Sequence, residues 1–136
     1  MKKILFLAAF AFVSLTSYSQ ALQKGNLIGL HTTTVKLNGK TTMKQYVDFV
    51  TNKWAPAMSS AANCEVHVLK YLRGDGADKI SFIFVFKTEA DRNKYYNSDG
   101  SSSSLGKASN AKMKSINNDL NKLGDMTGGY TDWSVQ

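Results

Sequence analysis

The amino-acid sequence predicts an α+β fold in which a four-stranded antiparallel sheet carries helices on one face. The run Lys79–Phe86 is almost entirely aromatic or β-branched, as in a strand. Both of its alternating faces are mostly apolar, which is typical of a central strand covered on each side. The chain also reads strand, helix, strand, strand, helix pair, strand. Two split βαβ units of this kind give the ferredoxin-like arrangement, with the first and third strands central.

The first residues predict a secretory signal peptide at residues 1–19. A basic start, Met1–Lys3, is followed by an apolar run, Ile4–Val13, and then by Ser17 and Ser19 at the −3 and −1 positions of a cleavage site. The apolar run is too short to cross a bilayer, which disfavours a retained anchor. We therefore expect an exported chain, periplasmic or secreted, that makes no membrane contact after cleavage, with residues 20–136 forming one domain.

The net charge and the cysteine content limit the partners and the disulfide bonds that can be expected. The formal net charge is +7, to which Lys2 and Lys3 contribute, and the other lysines are scattered without a basic run. This pattern favours a solvated basic surface over a nucleic-acid interface, so we expect no nucleic-acid partner. Cys64 is the single cysteine, which excludes an internal disulfide. A lone thiol is either buried and inert or a site for intermolecular pairing, and its place at the start of an apolar strand favours burial.

The first half of the domain begins with a strand at Asn26–Leu37, followed by an Asn-Gly turn. Thr41 or Thr42 is placed to cap a helix, and Pro56 should kink or end that helix near Trp54.

A polar link, Ser59–Asn63, leads to a second strand, Cys64–Arg73, which Gly74–Gly76 joins to the central strand as a hairpin.

The second half begins with a short helix that Thr88 can cap and that ends around Tyr95 and Tyr96. Asn97–Ser104 contains a serine run and is typical of a flexible loop. A helix from about Leu105 to Leu123 and a last strand from Thr127 to Val135 complete the chain. Tyr130, Asp132 and Ser134 share one face of that strand.

The chain resembles the dimeric α/β-barrel superfamily in its element order and in the segments Trp54–Pro56 and Phe86–Arg92. Its Tyr130–Trp133 segment is similar to the end of small exported members of that superfamily without an assigned activity. The resemblance implies that two subunits place their sheets face to face, and that a ligand pocket lies between sheet and helices. A homodimer is also the simplest cover for the second apolar face, because symmetric homodimers are the commonest oligomers.

His31 and His67 are the only histidines and lie on different predicted strands. A shared metal ion is disfavoured because the third strand separates them by roughly 10 Å, and no third ligand is evident, so we predict no metal and no cofactor. A strand histidine is more often structural than catalytic. His31 is the stronger candidate for a catalytic group, because it lies in a central strand beside the small Gly29.

Several aromatic side chains could line a ligand pocket, and core or interface packing is the alternative explanation. For Trp54 core packing is favoured, because this residue completes a regular apolar stripe on its helix. The predicted ligand-binding set is His31, Trp54, His67, Tyr71 and Tyr130. Asp132, Arg73 and Glu65 are expected to be isolated charges, and the serine run should be solvated because no base accompanies it.

Three functions follow from these expectations. The first is a dimeric domain that binds a small, partly apolar molecule in a pocket between sheet and helices. The second is a cofactor-free oxygenase or isomerase that uses His31 for proton transfer, with Tyr71 or Tyr130 assisting. The third is a structural or interaction protein that docks through its sheet face.

Overall fold

A computed structural model describes residues 22–74, 76 and 79–136, so the predicted signal peptide and part of the predicted Gly74–Gly76 turn lie outside the described residues. The elements, in chain order, are β1 (Leu27–Leu37), α1 (Met43–Phe49), a π-helical turn (Val50–Trp54), α2 (Ala55–Ala62), β2 (Glu65–Lys70), β3 (Lys79–Phe86), α3 (Glu89–Asn93), α4 (Ser104–Leu123) and β4 (Gly124–Ser134). Within these ranges, none of the helices has the length and apolarity needed to cross a membrane.

The predicted fold class is confirmed. The strands form one four-stranded sheet in the order β2-β3-β1-β4, with every neighbouring pair antiparallel. The two central strands are thus β1 and β3, as the ferredoxin-like arrangement requires. β2 pairs with β3 as the predicted hairpin.

The core lies between the helices and one face of the sheet. Alternate residues of β3 point into it, namely Ile80, Phe82, Phe84 and Phe86. Tyr46 and Val50 approach the sheet from the first helical segment, and Met113 and Leu120 approach it from α4. Each helical segment therefore meets the sheet through apolar residues that share one of its faces.

Of the two effects predicted for Pro56, a kink or an end of the first helix near Trp54, the end is wrong, as is the polar link predicted at Ser59–Asn63. The helical segment continues through a π-helical turn into α2, where Ala55 N–H bonds the carbonyl of Val50. Pro56 lies in the first turn of α2, where a missing backbone N–H is tolerated. The helix instead ends at Asn63, which takes the left-handed conformation with φ 48°.

The predicted caps are confirmed, and the segment between α3 and α4 is tied down by hydrogen bonds. Thr42 caps α1 in a capping box, and Thr88 caps α3. Between the last two helices, Tyr96 pairs with Ser102, and Ser103 N–H donates to the carbonyl of Tyr95. These bonds close residues 97–103 into a compact turn next to β4.

Candidate functional site

A pocket of about 160 Å³ lies on the helix-covered side of the sheet, between the central strands, β4 and the turn that follows α3. It is lined by Gly29, His31, Phe84, Phe86, Arg92, Tyr96, Gly100, Tyr130 and Asp132. The wall is mainly aromatic and carries a few polar groups, which is the usual composition of a small-molecule site.

Strand register brings these side chains together. Gly29 in β1 lies between Phe84 in β3 and Asp132 in β4, and two residues later His31 lies next to Tyr130. Because side chains two residues apart on a strand share a face, this group of neighbours points toward the same side of the sheet. The pocket therefore depends on the pairing of β4 with β1.

His31 faces this pocket and is held by aromatic contacts. Its ring centroid lies 4.8 Å from that of Phe84 and 5.5 Å from that of Tyr130, with Tyr130 stacked at an interplanar angle of 22°. Burial lowers the pKa of His31 below the ordinary 6.5, and the Asp132 carboxylate offsets part of this effect. The imidazole is consequently neutral at pH 7 and can accept a proton or a hydrogen bond.

An ion pair between a buried arginine and a partly exposed aspartate forms the polar end of the pocket. The Arg92 Nη2 atom lies 3.0 Å from Asp132 Oδ2, and the Arg92 side chain is 9% exposed. Arg92 Nη1 also donates to the carbonyls of Tyr96 and Asn97 at 3.2 and 3.0 Å. The guanidinium stacks on the Tyr96 ring, 5.2 Å from its centroid, and burial raises the pKa of that phenol. The ion pair thus connects β4 to the end of α3.

The absence of a side chain at Gly29 leaves the space next to this ion pair open. A Cβ at this position would lie 3.4 Å from Asp132 Oδ1 and 3.8 Å from His31 Nε2. Two potential hydrogen-bond acceptors therefore border the same small volume. On the solvent side, the Tyr130 hydroxyl packs directly against Gly100, whose φ of 81° favours glycine.

The structure brings His31 and Tyr130 together, but it places the other three predicted ligand-binding residues elsewhere. Trp54 packs in the core against Phe82, with ring centroids 5.1 Å apart, and its Nε1–H donates to Asn117 Oδ1. Tyr71 follows the end of β2 and is partly exposed, with its ring close to Gly76.

His67 lies on the outer face of the sheet, opposite to His31, where it contacts Glu65 at 3.3 Å. Within the described residues, no group of three or more His, Cys, Asp or Glu side chains is placed to hold a metal ion.

Arg92, Tyr96 and the pairing of Asp132 were missed by the sequence analysis. The expectation that Asp132 and Glu65 are isolated charges is wrong, because Asp132 pairs with Arg92 and Glu65 contacts His67. Alternation along β4 did place Asp132 on the same face as Tyr130. The position of Arg92 could not be predicted from the sequence, because it depends on how α3 packs against the sheet.

Cys64 lies at a second cavity, of about 210 Å³, beside the end of α2 and the start of β2. Its side chain is partly buried, and burial together with the neighbouring Glu65 raises the pKa of the thiol to about 12. The thiol is therefore protonated at neutral pH and is a weak nucleophile.

Comparison with known proteins adds little to this description. No family model matches the chain, and no match was found among curated proteins. A dimeric protein of unknown function and ferredoxin-like fold from Bacteroides fragilis NCTC 9343 is similar in structure, with a TM-score of 0.40 and 11% sequence identity. The match covers 79% of this chain and 96% of that protein. The fold assignment rests on the strand order and connections described above.

Proposed function

We propose that this protein is a small binding domain that takes a partly apolar molecule into the pocket beside His31. The observation that carries the proposal is the combination of an open volume of about 160 Å³ with aromatic walls and a few polar groups at one end. A packed core would fill such a volume with side chains, because protein interiors contain few voids larger than a water molecule.

Substitution of the two strand histidines tests this proposal. A library of small aromatic and alicyclic molecules is screened by ligand-observed NMR against the wild type, His31→Ala and His67→Ala. We expect hits that lose affinity in His31→Ala and keep it in His67→Ala, because His67 lies on the outer face. A screen without hits, or hits equally sensitive to both substitutions, would refute the proposal.

We also propose that the domain is a homodimer paired through the outer face of the sheet. The support is the apolar character of this face, where Ile28, Leu30, Ile83 and Val85 are only partly buried. Trp133 on the edge strand is 58% exposed on the same face. Contiguous exposed apolar surface of this kind marks interaction sites.

The mass of the protein in solution tests the dimer. Sedimentation velocity should give twice the monomer mass for the wild type and the monomer mass for Ile83→Arg, which puts a charge at the centre of the face. Thr127→Arg introduces the same charge nearer one end of the same face and serves as the matched control. A larger fraction of this variant than of Ile83→Arg should remain dimeric. A monomeric wild type would refute the dimer and would favour the interaction function, in which a different protein covers this face.

We propose further that the chain is exported after removal of residues 1–19. The support is the basic start, short apolar run and small residues before Gln20 in the sequence. Expression of the full chain in a bacterium, followed by fractionation and N-terminal mass analysis, should yield an extracytoplasmic protein that begins at Gln20. Retention of Met1 in the cytoplasmic fraction would refute this.

An enzymatic function is the second candidate, and the environment of His31 is the observation that favours it. A neutral imidazole in an apolar pocket can act as a proton acceptor, and Tyr130 stacks against it. Tyr71 lies outside the pocket, so Tyr130 is the tyrosine that could assist. If the protein is a cofactor-free oxygenase or isomerase, His31→Ala should abolish turnover of a bound ligand while the melting temperature stays within a few degrees.

A further inference from the structure

The charge of the pocket restricts the class of molecule that it can accept. Arg92 is its only cation at neutral pH among the described residues, and both terminal nitrogens of its guanidinium are already paired, one with Asp132 and one with backbone carbonyls. Since the positive charge of Arg92 is balanced by the Asp132 carboxylate, an anionic ligand would find no free cation there. It would also meet the negative charge of Asp132.

Two polar groups without a hydrogen-bond partner in the described part of the chain can accept a hydrogen bond from a ligand in the pocket, the Asp132 carboxylate and the His31 ring. Asp132 forms its ion pair with Arg92 through Oδ2, while its Oδ1 has no hydrogen-bond donor within the described part of the chain and borders the space above Gly29. His31 Nε2 borders the same space, and its ring likewise has no hydrogen-bond partner among the described residues. A ligand that enters this space without donating a hydrogen bond would remove water from Asp132 Oδ1 and leave it unsatisfied, which is costly.

The size and walls of the pocket define the rest of the ligand. A dry cavity of about 150 Å³ is known to hold a molecule of the size of benzene, and this pocket measures about 160 Å³. Its walls include the rings of Phe84, Phe86 and Tyr96, with Tyr130 on the solvent side. Aromatic walls favour offset or edge-on contacts with an aromatic ligand.

We propose that the pocket binds a neutral, single-ring molecule of the phenol class, with its hydroxyl group directed over Gly29 toward Asp132 Oδ1 and His31. This inference rests on the proposed binding function and specifies its ligand. Arg92 then acts as a positioning residue, because it holds the Asp132 carboxylate in place through Oδ2 and leaves Oδ1 available to the ligand.

Four probes of similar size test the ligand class by titration calorimetry and by chemical-shift changes of the His31 ring. Phenol donates a hydrogen bond, anisole has the same ring but no donor, benzoate is anionic and benzylamine is cationic. We expect phenol to bind about tenfold or more tightly than anisole, since a hydrogen bond to a charged acceptor is among the stronger ones. Benzoate should bind weakest.

Gly29→Ala tests the position of the hydroxyl. The added methyl group would lie at ordinary van der Waals distance from Asp132 Oδ1, Phe84 and His31, so the fold should tolerate it while the space for the hydroxyl is lost. Gly129→Ala adds the same group where no atom lies within 4 Å. We expect the phenol affinity to fall at least tenfold in the first variant and to be retained in the second.

The possible results separate the two proposals. Equal binding of phenol and anisole, or tighter binding of benzoate or benzylamine, would overturn the ligand class while leaving the binding function in place. Binding of phenol that is unchanged in Gly29→Ala would overturn the assigned position. If a folded wild type binds none of the four probes but binds other molecules through His31, only the ligand class fails. If it binds nothing in the wider screen either, both proposals fail.

Discussion

Replacing Asp132 with asparagine should destabilise the fold by leaving the buried Arg92 without its counter-charge. Arg92 is 9% exposed and Asp132 is 32% exposed, and their closest atoms are 3.0 Å apart. Asparagine is nearly isosteric with aspartate, so the substitution changes the charge while nearly preserving the packing. The effect therefore reports on the ion pair between β4 and the end of α3.

The expected loss of stability lies between the losses typical of surface ion pairs and of buried ion pairs. Removal of one partner from a fully buried pair typically costs about 3–5 kcal/mol, whereas exposed pairs contribute about 0–1 kcal/mol. Asp132 keeps partial contact with water, and Arg92 keeps its bonds to the carbonyls of Tyr96 and Asn97. We therefore expect Asp132→Asn to lower the free energy of unfolding by about 2 kcal/mol.

Urea denaturation followed by tryptophan fluorescence measures this change. Asp119→Asn is the matched control, because it removes the carboxylate of a solvent-exposed pair with Lys122 and should have a much smaller effect. Arg92→Met should cost more than Asp132→Asn, since it also removes the donor to the Tyr96 carbonyl and one of the two donors to the Asn97 carbonyl, the other being Gly100 N–H. A free energy of unfolding for Asp132→Asn within about 0.5 kcal/mol of the wild type would refute a stabilising role for the ion pair.

Three further predictions concern other parts of the fold. Gly128→Ala should lower the free energy of unfolding by about 1–3 kcal/mol, because a Cβ there overlaps a backbone oxygen of β1. Gly129→Ala places its methyl group in open space and should change the free energy of unfolding little. Equal denaturation midpoints for these two variants would contradict the prediction. The pKa of His31 measured by NMR titration should lie below 6.5. Because the unfolded chain then binds this proton more tightly than the folded chain does, the free energy of unfolding should decrease as the pH drops below 6.5. A midpoint at or above 6.5 would show that the ring is not desolvated. Tyr46→Phe should leave stability unchanged or raise it, because the buried hydroxyl has no hydrogen-bond partner among the described residues; a loss above about 1 kcal/mol would reveal an unseen partner.

Local sequence patterns were sufficient to predict most of the helices and strands and the fold class. The aromatic and β-branched residues of Lys79–Phe86 identified the central strand, and Ile80, Phe82, Phe84 and Phe86 are buried between the sheet and the helices. The capping threonines identified where two helices begin. Such signals depend on neighbours a few residues apart, so they can be recognised without knowledge of the tertiary structure.

Pro56 shows how tertiary packing can override a local rule for where a helix ends. The missing N–H at Pro56 predicts a kink or an end of the helix near Trp54, but the helical segment continues, because a preceding π-helical turn places this residue in the first turn of α2. Packing of Ala55, Met58 and Ala62 into the core then stabilises a helix that the local pattern disfavours.

The site itself was only half predicted. From the sequence, His31 on a central strand beside Gly29 could be recognised as a candidate, and the face of β4 that carries Tyr130 and Asp132 could be identified. The sequence by itself determined these faces because side-chain direction alternates along a strand. Tertiary structure alone decided that Arg92 would reach Asp132, 40 positions further along the chain, and that Trp54 and His67 would lie elsewhere. The physical reason is that register and helix docking depend on contacts between distant segments, which a local pattern does not encode.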